Sequence, residues 1–221
     1  MSVSALRFAV PINPYGRPVL VAPPGPPDTA SMSDEDLLAL VAGGVGEALW
    51  RRFGSLAAAL GGDRQELSRL GGADLAWRFA VIQECAIRMG RASLTRRPLF
   101  SSRGALIAYL TTAMAWRGRE QFRVLFLDTK NQLIVDEVMN EGTVDHAPVY
   151  PREVVRRALE VDAAAVVLAH NHPSGDPTPS PADIEMTHQV FAAGRALKIA
   201  VHDHLIVGRD GAASLKSLGL M

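Results

Sequence analysis

His170 and His172 stand two residues apart, and Asp183 follows after ten intervening residues of a loop rich in proline, serine and glycine. In extended chain, side chains two residues apart point to the same side. Two imidazoles and a carboxylate form a ligand set that suits zinc. Three protein ligands leave a fourth position for water, which marks a catalytic site rather than a structural one. The loop at 173–179 turns the chain back, so that Asp183 falls in the first turn of the next helix. The same residues carry a second reading. Ser180-Pro181-Ala182-Asp183 has the spacing of a capping box, with serine at the N-cap, proline at the first helical position and an acid at the third. Cap and catalyst both remain open for Ser180 and Asp183. Asn171 points away from its histidine neighbours and is expected to tie the loop backbone. His202 and His204 form a second His-x-His pair. They are either a rival metal pair on one strand face or, with Asp203, hydrogen-bonding support for the site or the sheet.

The surrounding pattern supplies elements to hold these residues. The run at 163–169 is apolar and partly β-branched, as expected for a central buried strand from which the two histidines leave. Upstream, 122–128 and 132–139 read as strands joined by a turn at 129–131. Helices are expected at 102–114, from Pro151 to 161 and from Pro181 to 197, with a last strand at 199–207. The outcome is a sheet flanked by helices. Before it, glycine-punctuated helical segments at 47–53, 55–60, 65–70 and 74–89 follow a capping signal at Ser33 and Asp36. Cys85, on the last of them, reads as core. The expected organisation is a proline-rich lead at 1–32, a helical domain at 33–92, a basic linker at 93–101 and the sheet domain at 102–221.

Length and charge narrow the function classes. The chain has 221 residues, 48% hydrophobic and 21% charged, with 23 basic against 23 acidic residues. Its overall charge gives no attraction to nucleic acid or membrane, so such binding needs a local patch. Arg88, Arg91, Arg96, Arg97, Arg103, Arg117 and Arg119 form the one basic stretch without an intervening acid. No apolar run reaches the length of a membrane span. A single cysteine excludes a disulfide framework and a cysteine-based zinc site. A cytoplasmic location is expected.

The stretch around His170, His172, Ser180 and Asp183 resembles the JAMM (MPN-type) zinc metalloprotease signature. With Gly142-Thr143-Val144, Pro151-Arg152-Glu153-Val154 and Asp203-His204-Leu205-Ile206-Val207-Gly208, the chain from Arg103 onward resembles the bacterial RadC family. The resemblance implies an MPN (JAB/cytidine-deaminase-like) α+β domain behind a small all-α, helix-hairpin-helix-like domain, to which residues 53–89 are similar. It implies zinc as cofactor, with His170, His172 and Asp183 as ligands. It also points to Glu120 as the residue that holds the water, with Glu137 and Glu141 as competitors. Two functions follow as expectations. One is hydrolysis of a peptide or isopeptide bond in a protein substrate, with Glu120 moving the proton and Ser180 stabilising the oxyanion. The other is a DNA-associated role in repair or recombination through the arginine stretch, without proteolysis. No membrane partner is expected. His146 and His188 carry no motif.

Overall fold

The computed structural model describes residues 28–94, 98–142 and 149–221. The proline-rich stretch to residue 27, Arg96, Arg97, Thr143, Val144 and His146 lie outside these. Residues Thr29–Ser31 form one 3-10 turn capped by Asp28.

Four helices make the N-terminal region. Helix α1 (Asp34–Ala42) starts at a full capping box between Ser33 and Asp36. Helix α2 (Gly46–Phe53) stops at Gly54, which takes the left-handed conformation. Ser55 caps α3 (Leu56–Leu60), and Asp63 caps α4 (Arg64–Ala92) through the backbone N–H groups of Gln65 and Glu66. The two helices expected at 65–70 and 74–89 thus run together. They are joined through a kink at Gly72, whose φ of 82° and ψ of 170° are not helical. Leu38, Leu49, Leu67, Leu75 and Phe79 close a core of their own.

Cys85 corrects an expectation: it is exposed, not core. The buried face of α4 runs through Ala76, Phe79 and Ile87, spaced by three or four residues or their multiples. Cys85 belongs to the opposite face, with Trp77, Val81 and Met89, which are also exposed.

After α5 (Arg103–Met114, capped by Ser102) the chain enters a five-stranded sheet. Its strands are β1 (Gln121–Leu127), β2 (Leu133–Glu141), β3 (Ala165–Asn171), β4 (Ala200–Gly208) and β5 (Gly211–Ser214). Helix α6 (Pro151–Glu160) precedes β3, and α7 (Pro181–Ala196) follows it. The spatial order is β2-β1-β3-β4-β5; β3 and β4 run parallel and every other neighbouring pair antiparallel. Every residue of β1 and of β3 is buried, because helices cover both faces. One face packs Leu125, Val167, Ala169 and Leu205 against Leu106, Leu110 and Met114 of α5. The other packs Phe122, Val124 and Leu168 against Val154 and Ala158 of α6 and Val190 of α7.

Two boundaries differ from expectation with consequences for the site. The central strand starts at Ala165, not at 163, because Asp162 turns with φ 54°. The strand also runs on to Asn171, past the expected end at 169, so His170 and Asn171 are held by the ladder instead of leaving it. Strand β5, which was not expected, is four small residues with no alternation to betray it. It pairs with β4 from Leu205↔Ser214 to Gly208↔Gly211.

Candidate metal centre

The site forms where the C-terminal end of β3 meets the start of α7. His170 Nε2 lies 2.9 Å from His172 Nε2 and 3.1 Å from Asp183 Oδ1. His172 Nε2 lies 3.5 Å from Asp183 Oδ2. One ligand atom from each residue falls within 4.8 Å of the others, the one such group of three or more among the described residues.

Each of the three is aimed by its surroundings. His170 is locked in β3 between Phe122 of β1 and Ile206 of β4. His172 is the first residue past the strand, and its N–H donates to the Val207 carbonyl at 2.9 Å. Its Nδ1 donates to the Asp176 carbonyl at 2.9 Å, since a carbonyl oxygen only accepts. A neutral His172 consequently turns a bare Nε2 lone pair toward Asp183. The loop at 173–177 is pinned by Arg209, which donates to the carbonyls of Pro173 at 3.1 Å and Ser174 at 2.7 Å. Gly208 lets the loop close on β4, because a Cβ there would sit 1.9 Å from the Gly175 carbonyl oxygen.

Asp183 answers both readings of the loop at once. The capping box is present: Ser180 Oγ accepts from Asp183 N at 3.2 Å, and Ser180 N donates to Asp183 Oδ2 at 2.7 Å. The other carboxylate oxygen is turned to His170. Burial works to raise the Asp183 carboxyl, but hydrogen bonds from His170, His172 and Ser180 outweigh it and hold it well below the usual carboxylate range. The hydrogen bond to Asp183 raises His172 against its partial burial, helped by the Asp176 carbonyl and by the charges of Asp183 and Glu120.

Glu120 enters through sheet register. Antiparallel pairing sets Phe122 opposite His170, so the residue two before Phe122 falls beside the residue two after His170. Asn171 fastens that approach: its Oδ1 accepts from Gln121 N at 2.8 Å, and its Nδ2 donates to the carbonyls of Arg119 at 3.1 Å and Arg117 at 3.4 Å. Glu120 is half-buried and lines a cavity of about 620 Å³ between the sheet domain and the N-terminal helices, together with Arg117, Arg119 and Glu141. The three converging residues are not among that cavity's lining, and the link from Glu120 to them is its charge, which acts on His172. The competitors have other partners. Glu137 pairs with Arg157 of α6 at 2.8 Å, and Glu141 accepts from Gln121 Nε2 at 2.6 Å.

The second histidine pair is split. His202 Nε2 meets Asn131 Oδ1 at 2.7 Å, whereas His204 is fully buried, with Nε2 2.8 Å from His170 Nδ1 and Nδ1 2.6 Å from Thr187 Oγ1. The rival-pair reading is thereby corrected: the two rings serve different neighbours. Asp203 accepts from Ser214 Oγ at 2.6 Å and from Lys216 N at 3.2 Å, joining β4 to the C-terminal turn. His188 Nε2 donates to the Leu220 carbonyl at 3.1 Å. Thr187 is the site neighbour that sequence reasoning missed. Its signal was available, since it lies four residues after Asp183 on the same helix face.

A family model described as a RadC-like JAB domain matches residues 100–220, more than half of the chain. The chain belongs to the RadC-like JAB domain family. The match takes in α5, the whole sheet and α7, and with them every residue of the site. In this JAB domain the donor set fits a zinc ion. Two imidazole nitrogens and a carboxylate turned toward one another are three electron-rich groups that need a cation or protons between them, and no thiolate is required. No helix among the described residues is long and apolar enough to cross a membrane.

Proposed function

We propose that this RadC-like JAB domain is a zinc-dependent hydrolase of peptide or isopeptide bonds. The observation that carries the reading is the convergence of His170, His172 and Asp183 beside Glu120. Zinc bound by the three supplies Lewis acidity and brings the pKa of a water toward ~7. Glu120 takes the proton of the attacking water and returns it to the leaving amine. Ser180 Oγ accepts from Asp183 N in its cap, and its hydroxyl turns to the substrate oxygen as negative charge develops there. A protein substrate reaches Glu120 through the cavity on the α4 side, and a cytoplasmic location accords with the single cysteine.

Metal analysis of the purified chain, followed by cleavage assays on peptide and isopeptide substrates with and without chelator, tests the reading. About one zinc per chain and chelator-sensitive cleavage are expected. A chain without zinc, or cleavage indifferent to chelator, removes it. Ser180→Ala should lower hydrolysis by a factor on the order of 10²–10³. It should also cost about 0.5–2 kcal/mol in a denaturation experiment, because the same hydroxyl caps α7.

A second reading, a DNA-associated accessory role, is supported by Arg117 and Arg119 on the cavity wall. Among the other described residues of the basic stretch, Arg88 pairs with Glu84 at 2.7 Å and Arg103 donates to Ser217 Oγ at 2.7 Å. If the stretch contacts phosphates, fluorescence anisotropy should give an affinity that falls with salt, with a slope of roughly −0.9 per phosphate neutralised. Arg119→Ala should then flatten the slope by about one contact. No binding at low salt removes this reading.

A further inference from the structure

The hydrogen bonds behind His170 can be followed proton by proton. Thr187 Oγ1 lies 2.5 Å from the Asp183 carbonyl oxygen. A carbonyl only accepts, so the hydroxyl hydrogen lies between these two atoms. Thr187 has no second hydrogen, yet its oxygen also lies 2.6 Å from His204 Nδ1. The hydrogen in that contact therefore comes from the imidazole. His204 is fully buried and its ring nitrogens meet only a hydroxyl and another imidazole, with no carboxylate to pair a charge, so the ring carries a single N–H. With that hydrogen on Nδ1, His204 Nε2 is a bare lone pair. It faces His170 Nδ1 at 2.8 Å, where two bare lone pairs would repel. His170 thus carries a hydrogen on Nδ1. When neutral, its Nε2 is unprotonated, and that is the atom turned to His172 and Asp183.

We propose that Thr187 and His204 are positioning residues that set the tautomer of His170 and present its Nε2 lone pair to the metal. His172 receives the same service directly, from the Asp176 carbonyl. His170 lies 1% exposed inside the sheet, where no loop carbonyl is offered to its Nδ1, and the task passes through two buried side chains. The relay ends on the backbone of Asp183, the third donor. The first turn of α7 thereby holds both a carboxylate of the site and the anchor for the imidazole opposite it. The metal half of this inference rests on the hydrolase reading above; the proton placement does not.

Long-range 1H–15N correlation spectra of the full, metal-free chain, taken at a pH where the imidazoles are neutral, read the tautomers directly. His170 and His204 should both be protonated at Nδ1, and His170 should keep that hydrogen after zinc is added. Thr187→Val preserves shape but removes the acceptor for His204 Nδ1. His204 should then shift its hydrogen to Nε2 and move the His170 hydrogen to its own Nε2. Zinc affinity in a competition titration should fall roughly 10–100-fold, and Thr187→Ser should restore both readings. A neutral His170 or His204 whose one hydrogen sits on Nε2 in place of Nδ1 in the wild-type chain overturns the proposal, as do wild-type tautomers and zinc affinity in Thr187→Val. Should that variant not fold, the wild-type tautomers decide alone. A wild-type chain with the expected tautomers but no zinc affinity refutes the hydrolase reading and the metal half of this inference, and upholds the proton placement.

Discussion

Glu120→Gln should leave zinc content and melting temperature at wild-type values and lower hydrolysis by a factor on the order of 10²–10⁴. Glutamine keeps the size of the side chain and most of its hydrogen bonding but cannot accept the proton. Glu120 is not one of the three converging donors, so metal content should not change. Its backbone is held independently: the carbonyl accepts from Gly142 N at 2.8 Å, and Asn171 clamps the residues on either side. The fold therefore has no reason to move. Metal analysis, thermal melts and cleavage rates on the same preparation read all three quantities. Glu137→Gln is the control, since that carboxylate is occupied by Arg157 across the sheet face. Glu141 is the serious competitor because it lines the same cavity. A fully active Glu120→Gln beside a dead Glu141→Gln would move the base to Glu141 and leave the metal site standing.

The second large effect is on the metal itself. His170→Ala with His172→Ala should abolish zinc binding and, with it, all chelator-sensitive cleavage, because a lone carboxylate cannot hold the ion. His202→Ala should leave stoichiometry unchanged, as that ring serves Asn131. His204 is not a neutral control, since it touches His170. Zinc should raise the melting temperature of the wild-type chain and not that of the double variant. At a hundredfold excess over Kd the gain is about 2.7 kcal/mol. The double variant should still fold without metal, because the sheet core of Val124, Leu125, Val167 and Leu168 makes no use of the ion. Zinc retained by the double variant would show that the ion is held elsewhere.

Ser180 and Glu120 differ in a way that activity assays alone would hide. Ser180 caps α7, so its loss should appear in stability and in rate together, whereas Glu120 should separate them. The reason lies in chain position. Ser180 and Asp183 share a helix start, where Asp183 Oδ2 accepts from Ser180 N and Oδ1 faces His170. Glu120 stands ahead of a strand whose pairing does not depend on its side chain.

Much of this was legible in the residues alone, for reasons of short range. His170 and His172 share a side because strand geometry has a period of two. Asp183 returns to them because Ser180 and Pro181 start a helix at a defined residue, and the capping box that made its role ambiguous proves to be part of what aims it. The apolar run of β3, the alternating strands before it and the helix cap at Ser33 were likewise local signals. The remainder depends on pairings between distant segments. The antiparallel register of β1 on β3 and the Asn171 clamp set the residue before β1 beside the end of β3, whereas in the sequence only the family resemblance pointed to Glu120 over Glu137 and Glu141. The parallel register of β3 on β4 sends His204 into the core against His170 and leaves His202 to Asn131, although the two histidines look like one motif. Cys85 is exposed because the buried stripe of α4 is set by what packs on it, not by the cysteine's own apolarity. Spacing along one element is written in the sequence; which elements lie side by side, and with what offset, is decided only when the whole sheet closes its core.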